Sequence, residues 1–222
     1  EINRKTKLAV FQNNEKLAVS HVLADNFIEV LANKEFLVGT HAARMRGCVR
    51  VLLEKYAELF DSSNLTKEKI EKISEASALH DIGKILVPQS LLLKAASLDS
   101  DEFNAVKQHV VYGANLLRGV PLLHQKEFYK LCLDICRHHH ERWNGEGYPE
   151  GLKGENISLA ASATGLIESY VALQELRPYR KAYSAGEAYE IIESLSCGTF
   201  SEELMHAFSL CRSELEDAFS LV

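Results

Sequence analysis

Apolar side chains recur every three to four residues along almost the whole of this chain, a period that leaves room for little besides α-helix. Met45, Val49, Leu52, Leu53 and Tyr56 lie on one such stripe, and Leu17, Val22, Phe27, Ile28 and Leu31 on another upstream. Each stripe gives a helix one face to bury against a neighbour. Thr66 is placed to cap a helix that runs through Ile70 and Ile73 to His80 and ends near Gly83, with Pro88 in the loop beyond. Asp99 and Glu102 form a capping box ahead of a helix carrying Phe103, Val106, Val110 and Leu117. Further helices are predicted over about 125–141, 157–175, 185–196 and 201–219. Gly145, Gly147, Pro149, Gly151 and Gly154 mark a long ordered loop after the first of these. The one strand candidate is Lys7–Gln12. The predicted class is all-α.

With 222 residues, 46% of them hydrophobic, the chain is long enough for one generous core. No Pro-rich or Gly/Ser-rich linker divides it, and residues 1–30 are expected to be a connector or helical extension ahead of one domain over 31–222. The chain opens at Glu1 without a methionine, so a longer parent protein is expected. A net charge of −6 argues against a surface for nucleic-acid polymers. An anionic ligand must instead be drawn by a local positive centre, which bound metal supplies. The five cysteines lie in apolar helical patterns without a CxxC pair, as expected of buried reduced thiols. No apolar run approaches the roughly 20 residues that span a bilayer, and no secretory signal is evident. A cytoplasmic location without membrane insertion is therefore expected.

Residues 138–149, His-His-His-Glu-Arg-Trp-Asn-Gly-Glu-Gly-Tyr-Pro, carry the chemistry together with His80-Asp81. His41 and His109 sit on separate amphipathic stripes beside apolar residues, which aims them inward. Neighbouring helical residues point about 100° apart, so the His80 imidazole can face one cation while the two Asp81 oxygens reach between two. Imidazole and carboxylate without thiolate suit iron, manganese and other first-row metals better than calcium. Two adjacent metals generally serve phosphate-ester hydrolysis. Taken singly, each residue has an ordinary alternative: a lone inward histidine is commonly a hydrogen-bonded core residue, and a His-Asp pair at a helix end is commonly a cap or ion pair. Burying so many imidazoles together without metal would require many satisfied partners.

In order along the chain, His80-Asp81-Ile82-Gly83-Lys84, Lys107-Gln108-His109, His139-His140-Glu141-Arg142-Trp143, Gly147-Tyr148-Pro149, Gly151-Leu152-Lys153-Gly154, Arg177-Pro178-Tyr179-Arg180 and Gly198-Thr199-Phe200 resemble the HD-GYP family. These are bacterial cyclic-di-GMP phosphodiesterases within the HD phosphohydrolase superfamily. The resemblance covers roughly residues 31–210 and implies a helical HD-domain bundle with additional C-terminal helices. It implies that His41, His80 and Asp81 hold one metal, and that Asp81 bridges to a second held by His109, His139 and His140. The family's closing ligand is an aspartate; counting back from Arg177 puts Glu168 there, one methylene longer. Leu37 stands where some members carry a third-metal glutamate, so two metals are expected, iron or manganese.

The resemblance further assigns Lys84 to a substrate phosphate, Arg177 and Arg180 to guanine, and Tyr148 to a loop at the site mouth. Lys84 can alternatively complement a helix dipole. The arginines can form a solvated basic loop, and Tyr148 can anchor the loop against Trp143. His21, His124, His138 and His206 match no ligand position. Asn144, Ser162 and Val171 stand where the family carries aspartate, arginine and aspartate, which suggests an altered member. The expected activity is hydrolysis of cyclic di-GMP, or a related cyclic dinucleotide, by water activated between two metals. The alternatives are a weakly active or inactive cyclic-dinucleotide sensor that retains the metals, and an interaction module docking a protein partner through the 142–156 loop. A homodimer is a further expectation.

Overall fold

The structure, a computed structural model, describes residues 39–60, 64–119, 126–176 and 180–221. The upstream stripe at 17–31, the strand candidate Lys7–Gln12, Leu37, His21, His124 and Arg177 lie outside the described residues. Those that are described form helices and loops: α1 (Gly39–Phe60), α2 (Lys67–Ser77), α3 (Gln89–Leu92), α4 (Ser100–Lys107), α5 (His109–Arg118), α6 (Lys126–His138), α7 (Leu159–Gln174), α8 (Ala185–Glu193), α9 (Glu202–Leu210) and α10 (Arg212–Ser220), with short 3-10 segments at Ile82–Leu86 and Gly154–Asn156. The all-α class is borne out.

Local chemistry explains most of the helix starts. Thr66 accepts the Lys69 amide at the head of α2. Asp99 accepts the Asp101 and Glu102 amides while Glu102 returns the favour, completing the capping box of α4. Ser158, Ser184 and Ser201 cap α7, α8 and α9 in the same way.

The expected boundaries shift in several places, among them the end of α6, which stops at His138 and leaves His139 and His140 beyond the helix. α2 stops at Ser77 rather than at His80, because the backbone tightens: Ala78, Leu79 and His80 donate to carbonyls three residues back, at 3.3, 3.1 and 3.2 Å. His80 and Asp81 thus sit on a turn. The helix carrying Phe103 and Val110 breaks at Gln108, whose amide reaches back only to Ala105 (3.3 Å). The C-terminal helix breaks at Cys211 (φ −110°, ψ 26°). Pro88 lies in the loop, as expected, immediately ahead of the one-turn helix α3.

α1 packs against α2, α7, α9 and α10, while α6 lies against α2, α5 and α7. Met45, Cys48, Val49, Leu52 and Leu53 from α1 meet Ile70 and Ile73 from α2, Ile135 from α6, and Leu166, Ile167 and Tyr170 from α7. Burying each Leu or Ile contributes about 1.5–3 kcal/mol. Residues Ala160–Ile167 of α7 are all buried, so this helix runs through the middle of the fold and Glu168 is carried into the interior with it. All five cysteines are free thiols, four of them buried.

Two glycines bring the chain close enough to build the site. A Cβ on Gly83 would lie 1.8 Å from the His109 carbonyl oxygen and 2.4 Å from the Gly113 nitrogen, so only glycine lets the 82–86 segment rest on α5. A Cβ on Gly165 would lie 2.1 Å from the His139 carbonyl oxygen, so α7 can approach the end of α6 only at a glycine.

Candidate metal centre

Five elements converge on one buried pocket of donors. His41 comes from the first turn of α1, His80 and Asp81 from the turn after α2, His109 from the start of α5, His139 and His140 from just past α6, and Glu168 from α7. His41, His80, Asp81, His109 and His139 are each at most 3% exposed. The Asp81 carboxylate is central: Oδ2 lies 3.3 Å from His80 Nε2, and Oδ1 lies 3.2 Å from His109 Nε2 and 4.0 Å from His139 Nε2. Glu168 Oε2 lies 3.9 Å from His139 Nε2 and 3.7 Å from His140 Nδ1.

The outer nitrogens are held by the protein. His80 Nδ1 donates to the Ser77 carbonyl (2.8 Å), His109 Nδ1 to Val106 (2.8 Å) and His139 Nδ1 to Ile135 (2.9 Å). His41 Nδ1 lies 3.0 Å from both Glu175 oxygens. A hydrogen on Nδ1 leaves the lone pair on Nε2. The Nε2 atoms of His41, His80, His109 and His139, together with Asp81 Oδ1, are all buried and lack any hydrogen-bond partner. Orphaned polar atoms of this kind are costly unless something absent from the hydrogen-bond network binds them.

The electrostatics favour ligand-ready forms at His109, His139, His140, Asp81 and Glu168, and the protonated form at His80. Burial pushes the His109 and His139 imidazoles below their usual range, and brings His140 down to about 3, so all three are neutral at physiological pH. Burial also works against protonated His80, but the adjacent Asp81 carboxylate outweighs it and raises that group. Asp81 is held well below the ordinary carboxylate range; burial opposes this, and Lys84 and His80 overcome it. Glu168 is held low against burial by His140 and His139.

Two groups of four have donor atoms all within 4.8 Å of one another: Asp81, His109, His139 and His140, and His80, Asp81, His139 and Glu168. Donor separations of 3–4 Å suit bonds of about 2.1 Å to a shared ion. Asp81 belongs to both groups, as a bridging carboxylate would. With mixed imidazole and carboxylate donors, backbone carbonyls on the outer ring nitrogens and orphaned lone pairs on the inner ones, these residues fit a divalent transition metal. His41 stands outside both groups, its ring 5.6 Å from that of His80.

A family model described as "HD domain" matches residues 25–198. The chain belongs to the HD domain family. It is 37% identical over 152 residues to a cyclic di-GMP phosphodiesterase of Thermotoga maritima, covering 68% of this chain and 40% of the relative. It is 36% identical to the cyclic di-GMP phosphodiesterase response regulator RpfG of Xanthomonas campestris, covering 68% and 39%. More distant relatives include a 3'3'-cGAMP-specific phosphodiesterase of Vibrio cholerae, at 29% identity over 74% of this chain and 30% of the relative. This chain thus spans about two-fifths of the length of the first two relatives. A solved structure described as a HDG"Y"P protein from Bdellovibrio bacteriovorus shares the fold, with a TM-score of 0.55 and 18% identity over 81% of this chain and 52% of that one. The HD-GYP resemblance read from the motifs is borne out.

Around the HD donors, Lys84 pairs with Asp81 through its ammonium. Tyr148 stacks on His140 (ring centroids 4.7 Å apart, planes 25°). Arg180 donates to the Ala172 carbonyl at 2.6 Å and lies 4.8 Å over the Tyr183 ring, at the end of α7. His138 is bound to Asp134 (2.7 Å), and the exposed His206 meets the Phe60 ring edge-on, so both stand apart from the site as expected. Asn144 bonds Glu146 (2.7 Å) in the loop, Ser162 is buried, and Val171 lies in the apolar core.

Sequence reasoning gave no role to three residues that support the cluster. Glu175 holds His41 across 134 positions, which no local pattern signals. Glu141, 1% exposed, accepts the Glu150 and Leu152 amides at 2.7 and 2.8 Å and so ties down the 142–156 loop. Arg142 donates to the His139, Glu141 and Cys197 carbonyls at 3.0, 2.9 and 3.2 Å. An uncommon pairing of charged residues beside an imidazole pair was the one available signal for the last two.

Proposed function

We propose that this chain hydrolyses cyclic di-GMP, or a related cyclic dinucleotide, with two divalent cations, iron or manganese, held by His41, His80, Asp81, His109, His139, His140 and Glu168. The observation that carries this reading is the convergence of three buried, unpartnered Nε2 atoms, those of His80, His109 and His139, on the Asp81 carboxylate, whose two oxygens face different imidazoles. Its substrate class draws support from relatives that are cyclic di-GMP and cGAMP phosphodiesterases. When bound, such cations supply the Lewis acidity that brings the pKa of water toward neutrality and offsets charge on a phosphate.

The residues of this chain would supply the rest. Backbone carbonyls on Nδ1 hold His80, His109 and His139 in one tautomer and orientation, so their lone pairs are preset before any ion arrives. Lys84 balances Asp81 and stands as a point charge for a substrate phosphate. The Tyr148 ring covers one face of His140 and keeps water from that side. Arg177 and Arg180 are assigned to guanine, where an arginine can donate to both O6 and N7. The 142–156 loop, fixed from inside by Glu141, is the surface assigned to a protein partner.

The test is direct. Purified chain loaded with manganese(II) or iron(II) is incubated with cyclic di-GMP. Linear dinucleotide should accumulate, and the Asp81→Ala variant should produce none. Tight binding without product would favour a sensor over an enzyme. Loss of both binding and product in fully metal-loaded protein would reject the substrate class.

A further inference from the structure

We infer that Lys107 binds a second phosphate of the substrate, the one not at the histidine cluster; this rests on the cyclic-dinucleotide reading above. A cyclic dinucleotide carries two phosphodiesters on opposite sides of one ring. With one of them at the HD donors, the other stands away from the cluster and needs its own counter-charge, in a chain whose net charge is −6.

Near the site, most described cations are already engaged. Lys84 beside Asp81 and Arg180 already have the phosphate and guanine roles proposed above, Arg137 pairs with Glu150, and Arg142 is spent on three carbonyls. Lys107 differs. It has no carboxylate within ion-pair distance among the described residues, and its ammonium lies over two aromatic faces, 4.5 Å from the Phe103 centroid and 5.2 Å from that of Tyr148.

The placement aims it at the site rather than into solvent. Tyr148 stacks on His140, and Lys107 lies over Tyr148, so cation, phenol ring and metal-site imidazole form one ladder at the rim. Lys107 is also two residues ahead of His109, so the same turn that delivers an imidazole inward delivers this ammonium to the edge. A lysine in the last turn of α4 would serve the helix dipole wherever its side chain pointed. The dipole gives no reason for it to lie across Tyr148. The rings hold the ammonium at the rim by its contact with their faces, and no carboxylate among the described residues competes with an anion for its protons.

The experiment compares metal-loaded wild type with Lys107→Ala, Lys107→Arg and Lys107→Glu on two substrates. Cyclic di-GMP has two phosphates, and bis(p-nitrophenyl) phosphate has one. Lys107→Ala should lower kcat/KM for cyclic di-GMP about tenfold more than for the single diester, mainly through KM. Lys107→Arg should restore most of the loss, and Lys107→Glu should deepen it. Calorimetric Kd values for cyclic di-GMP should follow the same order, with metal content unchanged. Equal losses on both substrates, or unaltered KM and Kd in Lys107→Ala, would overturn the assignment while leaving the site reading intact. Wild type that cleaves the single diester yet binds neither cyclic di-GMP nor cGAMP would overturn the substrate class, and this assignment with it.

Discussion

The hydroxyl of Tyr189 and the Nε2 atoms of His41, His80, His109 and His139 are all sealed from water and all lack a hydrogen-bond partner, yet their surroundings differ in kind. Tyr189 stacks on Phe208 (4.5 Å), meets Tyr170 edge-on (5.3 Å) and lies under the Arg212 guanidinium (4.8 Å). Its ring is a packing element, and the stranded hydroxyl is a cost accepted for that packing. The histidines instead have their far nitrogens tied down, and the near ones of His80, His109 and His139 face a shared carboxylate. An unpartnered atom alone is therefore no sign of a ligand. Several lone pairs aimed at common points, each braced from behind, are.

That contrast can be broken most severely at Asp81. Replacing it with alanine removes the carboxylate shared by both donor groups and strands Lys84. Turnover should fall roughly 10³-fold or more, with bound metal reduced in the same preparation. Activity near wild type would show that the two donor groups do not share a functional carboxylate. Chelation of the wild type should reproduce the loss, and readdition of manganese(II) should reverse it.

Next in size is Gly83→Ala. The added Cβ would have to displace backbone atoms of His109 and Gly113, not a flexible side chain. About 3 kcal/mol or more of stability should be lost, seen as a lower denaturant midpoint. An unchanged midpoint would mean that the 82–86 segment and α5 separate easily, and that the donors they carry are not rigidly placed.

A milder change sharpens the role of bracing. Glu175→Gln keeps a hydrogen-bonding side chain behind His41 but removes its charge. Metal affinity should weaken about 10- to 100-fold, measured by competition with a chelator, with little change in fold. Wild-type affinity would detach His41 from the site, which its position outside both four-residue groups leaves as the sharpest question about the donor set. Smallest of all should be Tyr189→Phe. Deleting its hydroxyl should leave metal content and turnover alone and change stability by between zero and about 1 kcal/mol in the favourable direction.

How far the chain could be read in advance follows the range of each interaction. Thr66 at a helix head, and Asp99 with Glu102, act within three residues, and their caps were legible. The clustering of His80, Asp81, His109, His139, His140 and Glu168 was legible too, because adjacent imidazoles, a His-Asp pair and an inward-facing histidine on a separate apolar stripe make little sense apart. The helix breaks at Ser77, Gln108 and Cys211 were not, since the apolar period continues across each. At the first, the change is only a tightening of hydrogen bonds from four residues to three. The partnership of Glu175 with His41 depends on how α1 and the end of α7 meet in the folded molecule. The way the donors divide was equally hidden: Glu168 groups with His80, Asp81 and His139, a matter of how deeply Gly165 lets α7 approach.

The central claim is that seven side chains from five elements hold a pair of cations. The metal-to-protein ratio of the chain, loaded anaerobically with iron(II) or manganese(II), desalted and measured by mass spectrometry of the metal, tests it most directly. Two equivalents per chain, falling below one in Asp81→Ala, is the predicted result. A wild-type ratio near zero, or one unaffected by losing Asp81, would contradict it.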